Sequence, residues 1–487
     1  MPEPTNDPAF DLATTAVEAA LAAGASYADA RVIHGRAQSL HAQNGNIESI
    51  DDGEKIGLGV RALVGSSWGF ASTAELTTKA AGRAGAESAA TAKASALVPG
   101  PPLELADVPV ARDTWQTAVQ IDPFALALST KADLLTSITK TMSEVEGVAV
   151  ATAKLQFWAT TKWFVSSQGH RIHQHLVESG GGMGSMAVDG TQTQQRSYPQ
   201  AFGDYSAGGW EVIVALDFAA HAERVASEAV ALLTADECPS TTTNLILDSS
   251  QVALQIHESV GHAIELDRIL GWEAAFAGTS FLDLAQLGSL QYGSELMNIT
   301  ADATIPGAMG TFAYDDEGTP GQSVDIVRDG TWVGVLSGRD SAHHAGLAPG
   351  GMVRCEAFDR LPMVRMTNIG LKPGEGSADD VIADTDDGIY MAQNRSWSID
   401  DRRLNFQFGC EIAWEVKNGE VGRMLRNPTY TGITPKFWGS LDRLAGQQDW
   451  RAWGLPNCGK GQPMQTMHTA HPAVTARFAG VRVGVRA

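Results

Sequence analysis

The run His257-Glu258-Ser259-Val260-Gly261-His262 sets two histidines five positions apart, with a carboxylate directly after the first. Two imidazoles can hold a transition metal, and the carboxylate beside them can serve as a general base. Helix geometry limits how this can happen. Positions four apart are rotated by about 40° and reach one point, whereas positions five apart differ by roughly 140°. A regular helix cannot turn His257 and His262 toward one ion. A π-type bulge widens the turn, and Gly261 is the residue that tolerates the distortion best. The spacing therefore predicts a locally distorted helix. A short apolar strand over 241–248 precedes it, and Asp248, Ser249 or Ser250 can cap its start.

The rest of the chain restricts what such a site can serve. With 487 residues it can bury two or three cores. It carries 35 basic against 56 acidic residues, a formal net charge of −21, and no Lys/Arg-rich block. That balance repels phosphate backbones and anionic lipid, so neither nucleic acid nor membrane is an expected partner. The start, Met1 to Asp7, is polar and acidic, unlike a signal peptide. No apolar run approaches the roughly 18–20 residues of a membrane span. The expected location is the cytoplasm. Cys238, Cys355, Cys410 and Cys458 are scattered without a C-x-x-C pair. In a chain of this kind they suit buried thiols or a metal ligand rather than a disulfide framework.

Periodicity predicts helices over 10–23, 73–97, 123–144 and 217–234. Strands are expected over 27–41, 56–64, 68–71, 148–157, 162–167 and 171–177, with Asn44-Gly45-Asn46 as a hairpin turn. Gly180-Gly181-Gly182 reads as a turn or bulge, and the Pro-rich stretch 99–102 as a break. Beyond about residue 290 short β runs dominate, at 323–327, 332–336, 405–416 and 420–425. The fold class is α+β. An amino-terminal α/β-sandwich-like half, residues 1–238 with a break near 98–103, packs helices on an antiparallel sheet. A β-rich carboxy-terminal half, 239–487, carries the metal-binding helix.

A catalytic zinc usually has three protein ligands and one open position. His257 and His262 supply two. Glu265 and Asp267 are local candidates for the third; the cysteines and other histidines are remote ones. Cys458 stands out because it lies in the glycine-flanked loop Pro456-Asn457-Cys458-Gly459-Lys460-Gly461-Gln462-Pro463, where Lys460 would favour a thiolate. Cys410 lies in an apolar strand and suits the core. His468 and His471 are alternative ligands, although their place near the end suits surface residues better. Glu258 fits the general base.

At this point the residues resemble a family. The run from His257 to Asp267 is similar to the H-E-x-x-G-H-x-x-E-x-D signature of the TldD/PmbA metalloproteases. Gly57-Leu58-Gly59-Val60-Arg61 with Gly69-Phe70-Ala71-Ser72-Thr73, then Asp315-Asp316-Glu317-Gly318, Arg365-Met366-Thr367-Asn368 and Cys458-Gly459-Lys460 resemble its other motifs, in the same order. The resemblance implies a zinc metallopeptidase of the catalytic TldD type. It implies His257, His262 and Cys458 as zinc ligands and Glu258 as the catalyst that activates a zinc-bound water. It also implies a heterodimer with a motif-lacking PmbA/TldE-type homologue, and small flexible polypeptides as substrates. Glu265 and Asp267 are the second-sphere candidates, since ligating histidines usually donate their other N–H to a carboxylate or carbonyl. The non-enzymatic alternative is a metal-bearing scaffold that binds peptides without cutting. Two departures stand out: the stretch 391–400 lacks a glycine-rich run, and the C-G-K segment is shortened before Gly461-Gln462-Pro463. The Asp315-Asp316-Glu317-Gly318 motif reads as a β-turn with solvated carboxylates, and Arg365 as an ion-pair anchor.

Overall fold

The computed structural model describes residues 7–100, 103–190, 192–275 and 278–484. The first six residues and the core of the Pro-rich break, 101–102, lie outside them. Helix α1 (Pro8–Ala22) is followed by the long strands β1 (Tyr27–Gln43), β2 (Asn46–Val64) and β3 (Ser67–Thr73), then helix α2 (Thr78–Ser95). Strand β4 (Arg112–Gln116) leads to helix α3 (Leu128–Ser143) and to strands β5 (Val148–Ser166), β6 (Arg171–Asp189), β7 (Gln192–Tyr198) and β8 (Asp204–Ala207). These strands form one sheet, in the order β3-β2-β1-β5-β6-β4, with β7 and β8 added to β6. Every pairing is antiparallel except β4 with β6. Helices α1 and α2 cover one end of the sheet through an alanine-rich core, and α3 covers the other through Leu135, Ile138 and Met142. Small residues let α1 and α2 approach closely: a Cβ on Gly85 of α2 would stand 2.1 Å from the Ala16 carbonyl oxygen of α1.

Helices α4 (Trp210–Leu216) and α5 (Phe218–Thr234) lead through β9 (Asp236–Glu237) and β10 (Thr241–Leu247) into helix α6 (Ser249–Ile256). Strand β10 belongs to a second sheet that closes on itself. It lies between strands 387–399 and 476–483; the latter pairs with 429–433, which pairs with 405–417, and 405–417 returns to 387–399. The ring of strands forms a barrel, in which β10 pairs 387–399 only over residues 388–391. Its core continues into a four-stranded sheet built on 299–302, 323–328, 331–332 and 369–371. A separate ribbon, Arg451–Lys460 with Gln465–Ala473, packs beside α6.

Several expectations change. The strands expected at 148–157 and 162–167 are one continuous strand, β5, because β1 and β6 flank its whole length. Gly180-Gly181-Gly182 is neither turn nor bulge but the middle of β6. A Cβ at Gly180 would stand 2.2 Å from Tyr205 Cδ1, and one at Gly182 would stand 2.7 Å from Gly203 Cα, so glycine here permits close approach of β8 and its lead-in. The helix expected over 123–144 starts only at Leu128, after a short 3₁₀ turn at Pro123–Ala125. The run 332–336 is a strand only at its start, Thr331–Trp332.

Candidate metal centre

The motif helix starts where Asp248 accepts hydrogen bonds from the Ser250 and Gln251 amides, at 3.3 and 3.1 Å. It is α-helical to Ile256, then widens to a π-turn over His257–Gly261, closed by His262 N–H on the His257 carbonyl at 3.2 Å. The two rings face each other edge-on with centroids 4.9 Å apart, which regular helical spacing would forbid. Gly261 permits this packing: a Cβ there would sit 2.4 Å from Met366 Sδ.

Cys458 arrives from the 451–460 strand. The ribbon's register shifts between Leu455 and Cys458, which re-aims the side chain. One ligand atom from each of His257, His262 and Cys458 lies within 4.8 Å of the others, and Cys458 Sγ is 3.9 Å from His262 Nε2. All three are buried.

Hydrogen bonds behind the imidazoles settle which nitrogen faces forward. His471 Nδ1 lies 3.1 Å from the Ile369 carbonyl, which only accepts, so Nδ1 carries the proton. Burial, with His257 alongside, holds His471 well below the usual histidine range and hence neutral. Its Nε2 therefore accepts from His257 Nδ1 at 2.7 Å, leaving the His257 Nε2 lone pair free. His262 Nδ1 donates to Glu265 Oε2 at 3.1 Å, which turns its Nε2 toward Cys458 Sγ. Glu265 is buried, yet Lys460 and the His262 imidazole hold its carboxyl well below the ordinary range against the effect of burial. Burial would push the Cys458 thiol up, but the His262 imidazole and the Arg365 guanidinium outweigh it and bring it down to about 7. Two imidazoles and a thiol form a donor set suited to zinc.

Four readings of individual residues change. Asp267 touches no ligand; both its oxygens accept from Lys460 Nζ at 2.8 Å. Lys460 spends its remaining donor on the Val364 carbonyl and lies 3.2 Å from Glu265, so Arg365 rather than Lys460 favours the thiolate. Arg365 makes no ion pair among the described residues. It donates to the backbone carbonyls of Cys458 and Gln465 and so clamps the ribbon that carries Cys458. His471 is buried behind His257 rather than at the surface, and His468 pairs with Glu178 at 2.6 Å against Trp158.

Glu258 and both histidines line a cavity of about 390 Å³. Phe202, Leu254, Leu455, Asn457 and Gly459 form its other walls, with Trp397, Ser398 and Ile399 from the departing stretch 391–400. Glu258 Oε2 lies 2.7 Å from Arg403 Nη1, a residue that sequence reasoning did not single out. Arg403 and His471 lie 145 and 214 positions from the groups they touch, and no spacing rule connects them.

The acidic turn lies elsewhere, and its carboxylates are not solvated. Asp316 and Glu317 are buried, Asp316 against Lys162 at 3.0 Å and Glu317 against Arg61 at 3.0 Å. Gly318, at φ 79°, supplies the left-handed residue of the turn.

Comparison with known proteins bears on this arrangement. The sequence model of the PmbA/TldA metallopeptidase C-terminal domain matches residues 240–482, and that of PmbA/TldA metallopeptidase domain 1 matches residues 28–96. The chain belongs to the TldD/PmbA family. A metalloprotease of Methanothermobacter thermautotrophicus is 28% identical over 93% of this chain and 95% of its own length. One of Methanocaldococcus jannaschii is 27% identical over 83% and 86%. A zinc metalloprotease TldD homolog of Saccharolobus solfataricus is 25% identical over 41% of this chain and 43% of its own. Among solved structures, TldE from Thermococcus kodakarensis shares the fold at a TM-score of 0.71 and 14% identity, covering 97% of this chain and 99% of that one. A Thermotoga maritima protein described as a candidate modulator of a DNA gyrase does so at 0.77 and 16%, with the same coverage. The TldD/PmbA chain described here is thus a member of a metallopeptidase family with an α+β fold.

Proposed function

We propose that this chain is a zinc-dependent endopeptidase that processes or degrades small, flexible polypeptides. The observation that carries the reading is the convergence of His257, His262 and Cys458 within 4.8 Å of one another, with both histidines and Glu258 lining one cavity. The donor set supports zinc, as does the name of the Saccharolobus relative. A zinc ion held by these three residues supplies Lewis acidity, which acidifies water and polarises a carbonyl. The chain's own residues do the rest. Glu258, one position after a ligand, takes the proton of the attacking water and returns it to the leaving amine. His471 and Glu265 fix the imidazoles that hold the metal.

A cavity of about 390 Å³ suits a few side chains of an extended segment rather than a folded domain. Past Met391, strand 387–399 pairs as a strand only with 405–417 among the described residues; Gln393 N–H is taken by Asp248 at 3.1 Å, and beyond it Trp397 to Ile399 line the cavity. A peptide added there as a strand would gain main-chain hydrogen bonds with little demand on sequence. The resemblance to the TldD/PmbA family implies a heterodimer with a homologue that lacks the metal motif. The family matches at 28–96 and 240–482 support a division into parts 1–238 and 239–487. No helix among the described residues is long and apolar enough to cross a membrane, which is compatible with a cytoplasmic enzyme.

The test is mass spectrometry of a pool of unfolded peptides incubated with zinc-loaded protein and, in parallel, with Glu258→Gln. Internal cuts by the parent alone, with zinc retained in both, are the expected result. Equal behaviour of the two would favour a metal-bearing scaffold that binds peptides without cutting.

A further inference from the structure

We propose that Arg403 is a catalytic residue that neutralises the charge developing on the scissile carbonyl oxygen. This rests on the hydrolytic reading above and deepens it. Arg403 Nη1 is 2.7 Å from Glu258 Oε2, and the side chain lines the same cavity as the two histidines. It is the one guanidinium or ammonium among the described residues that line that cavity. Neighbouring cations are committed elsewhere: Arg365 to carbonyls, Lys460 to Asp267 and Glu265. Arg365 and Arg403 each leave a buried Nε–H without a partner among the described residues, but only Arg403 lines the cavity.

The backbone points the same way. Arg403 sits at φ 63°, a conformation that glycine adopts freely and a long side chain does not. The turn around it is pinned. Arg403 N–H donates to the Asp400 carbonyl at 2.9 Å, Thr434 Oγ1 donates to the Arg403 carbonyl at 2.8 Å, and the Asp400 carboxylate takes the Leu404 and Asn405 amides. Strain held in place by such bonds, at a position where glycine would be cheapest, marks a side chain kept for use. A donor fixed before the reaction needs no reorganisation when charge appears.

Charge flow explains the pairing with Glu258. In the attack, a water O–H bond breaks and its proton passes to Glu258. The water oxygen bonds to the carbonyl carbon, and the C=O π pair moves to the carbonyl oxygen. Negative charge leaves Glu258 as it appears on the substrate, so a guanidinium within reach of both faces one anion throughout. When the C–N bond breaks, the carbonyl re-forms and the amine departs with the proton from Glu258. The only co-reactant is water.

The experiment uses the best-cut peptide from the pool and a phosphinic analogue of it, whose anionic oxygens mimic the tetrahedral state. Arg403→Gly removes the guanidinium and suits the backbone better than the parent residue. Arg403→Lys keeps charge without the fork. The expected result for Arg403→Gly is a kcat about 10²–10³-fold lower, with KM and zinc content essentially unchanged. Added guanidinium ion should restore part of kcat, and phosphinate affinity should fall in parallel while peptide affinity does not. Arg403→Lys should lie between the parent and Arg403→Gly. Full kcat in Arg403→Gly with Glu258→Gln inert would overturn the proposal and leave the hydrolytic reading intact. Loss of zinc, or failure of guanidinium to restore any turnover, would make Arg403 structural and equally overturn it. Inertness of the parent itself would remove the hydrolytic reading and this inference together.

Discussion

His471 occupies the place where a carboxylate or carbonyl usually orients a metal-binding imidazole, 2.7 Å from His257 Nδ1. A neutral acceptor adds no negative charge behind His257, whereas Glu265 adds one behind His262. The bond still fixes the tautomer. His471→Ala should leave the fold intact and weaken zinc binding by about 10–100-fold, read by chelator competition with the purified protein. His471→Gln can present an acceptor oxygen and should recover part of that loss; equal zinc affinity in all three proteins would contradict the tautomer relay. At this scale, what the sequence made legible was local. His257, Glu258, His262 and Glu265 fall within nine consecutive residues, where helix geometry alone dictates who meets whom. Cys458 was open to reading through its glycine-flanked loop and its family motif. Arg403 was not, and His471 was read only as an alternative ligand or a surface residue, because long-range pairing leaves no periodic trace. The outcome for Lys460 has the same origin: nearness in sequence to Cys458 did not say that its ammonium would turn to Asp267 and Glu265.

Among the elements, the π-turn is the one that spacing forced. Histidines five apart can serve one ion only if the helix widens, and the turn at His257–Gly261 does so. Its packing makes a sharp prediction. Gly261→Ala places a methyl against Met366, whose Sδ would be 2.4 Å away, and should destabilise the protein by about 1–3 kcal/mol through overpacking. Met366→Ala opens that space. In a double-mutant cycle by urea unfolding, the pair should cost less than the sum of the single changes. Strict additivity would mean that strain in the turn itself, not the contact, sets the cost. Other elements were harder to read for the same physical reason. A triple glycine looks like a chain break until β8 and its lead-in are brought against it, and the interruption within 148–166 disappears once β1 and β6 flank it. Glycine marks close approach as readily as a turn, and only the neighbour decides between them.

At the scale of the whole molecule, buried charge joins the amino-terminal sheet to the half that holds the candidate metal centre. Arg61 of β2 pairs with Asp29 at 2.8 Å and with Glu317 at 3.0 Å, and lies over the Trp68 ring at 4.1 Å. Asp29 also pairs with Arg31, which donates to the Asp316 carbonyl, while Lys162 of β5 holds the Asp316 carboxylate. The glycines before Arg61 belong to the same junction. A Cβ on Gly59 would stand 2.2 Å from the Phe358 carbonyl oxygen, so the 355–362 segment can lie directly on β2. Two sequence motifs about 250 residues apart thus form one contact, and the acidic turn that looked solvated is its counterpart. Removing one partner of a buried charge network leaves the others uncompensated, which is far costlier than losing a surface pair. Arg61→Ala should therefore lower stability by about 3–5 kcal/mol, measured by urea unfolding followed by tryptophan fluorescence and circular dichroism. Because further ion pairs such as Arg196 with Glu411 and Arg451 with Asp204 cross between the same parts, the transition should stay single and shift to lower urea. Separation into two transitions would mean that the halves fold independently and that Arg61 couples them. A shift comparable to that of a surface pair would mean that solvent reaches the cluster and that burial of the acidic turn is not what holds the two halves together.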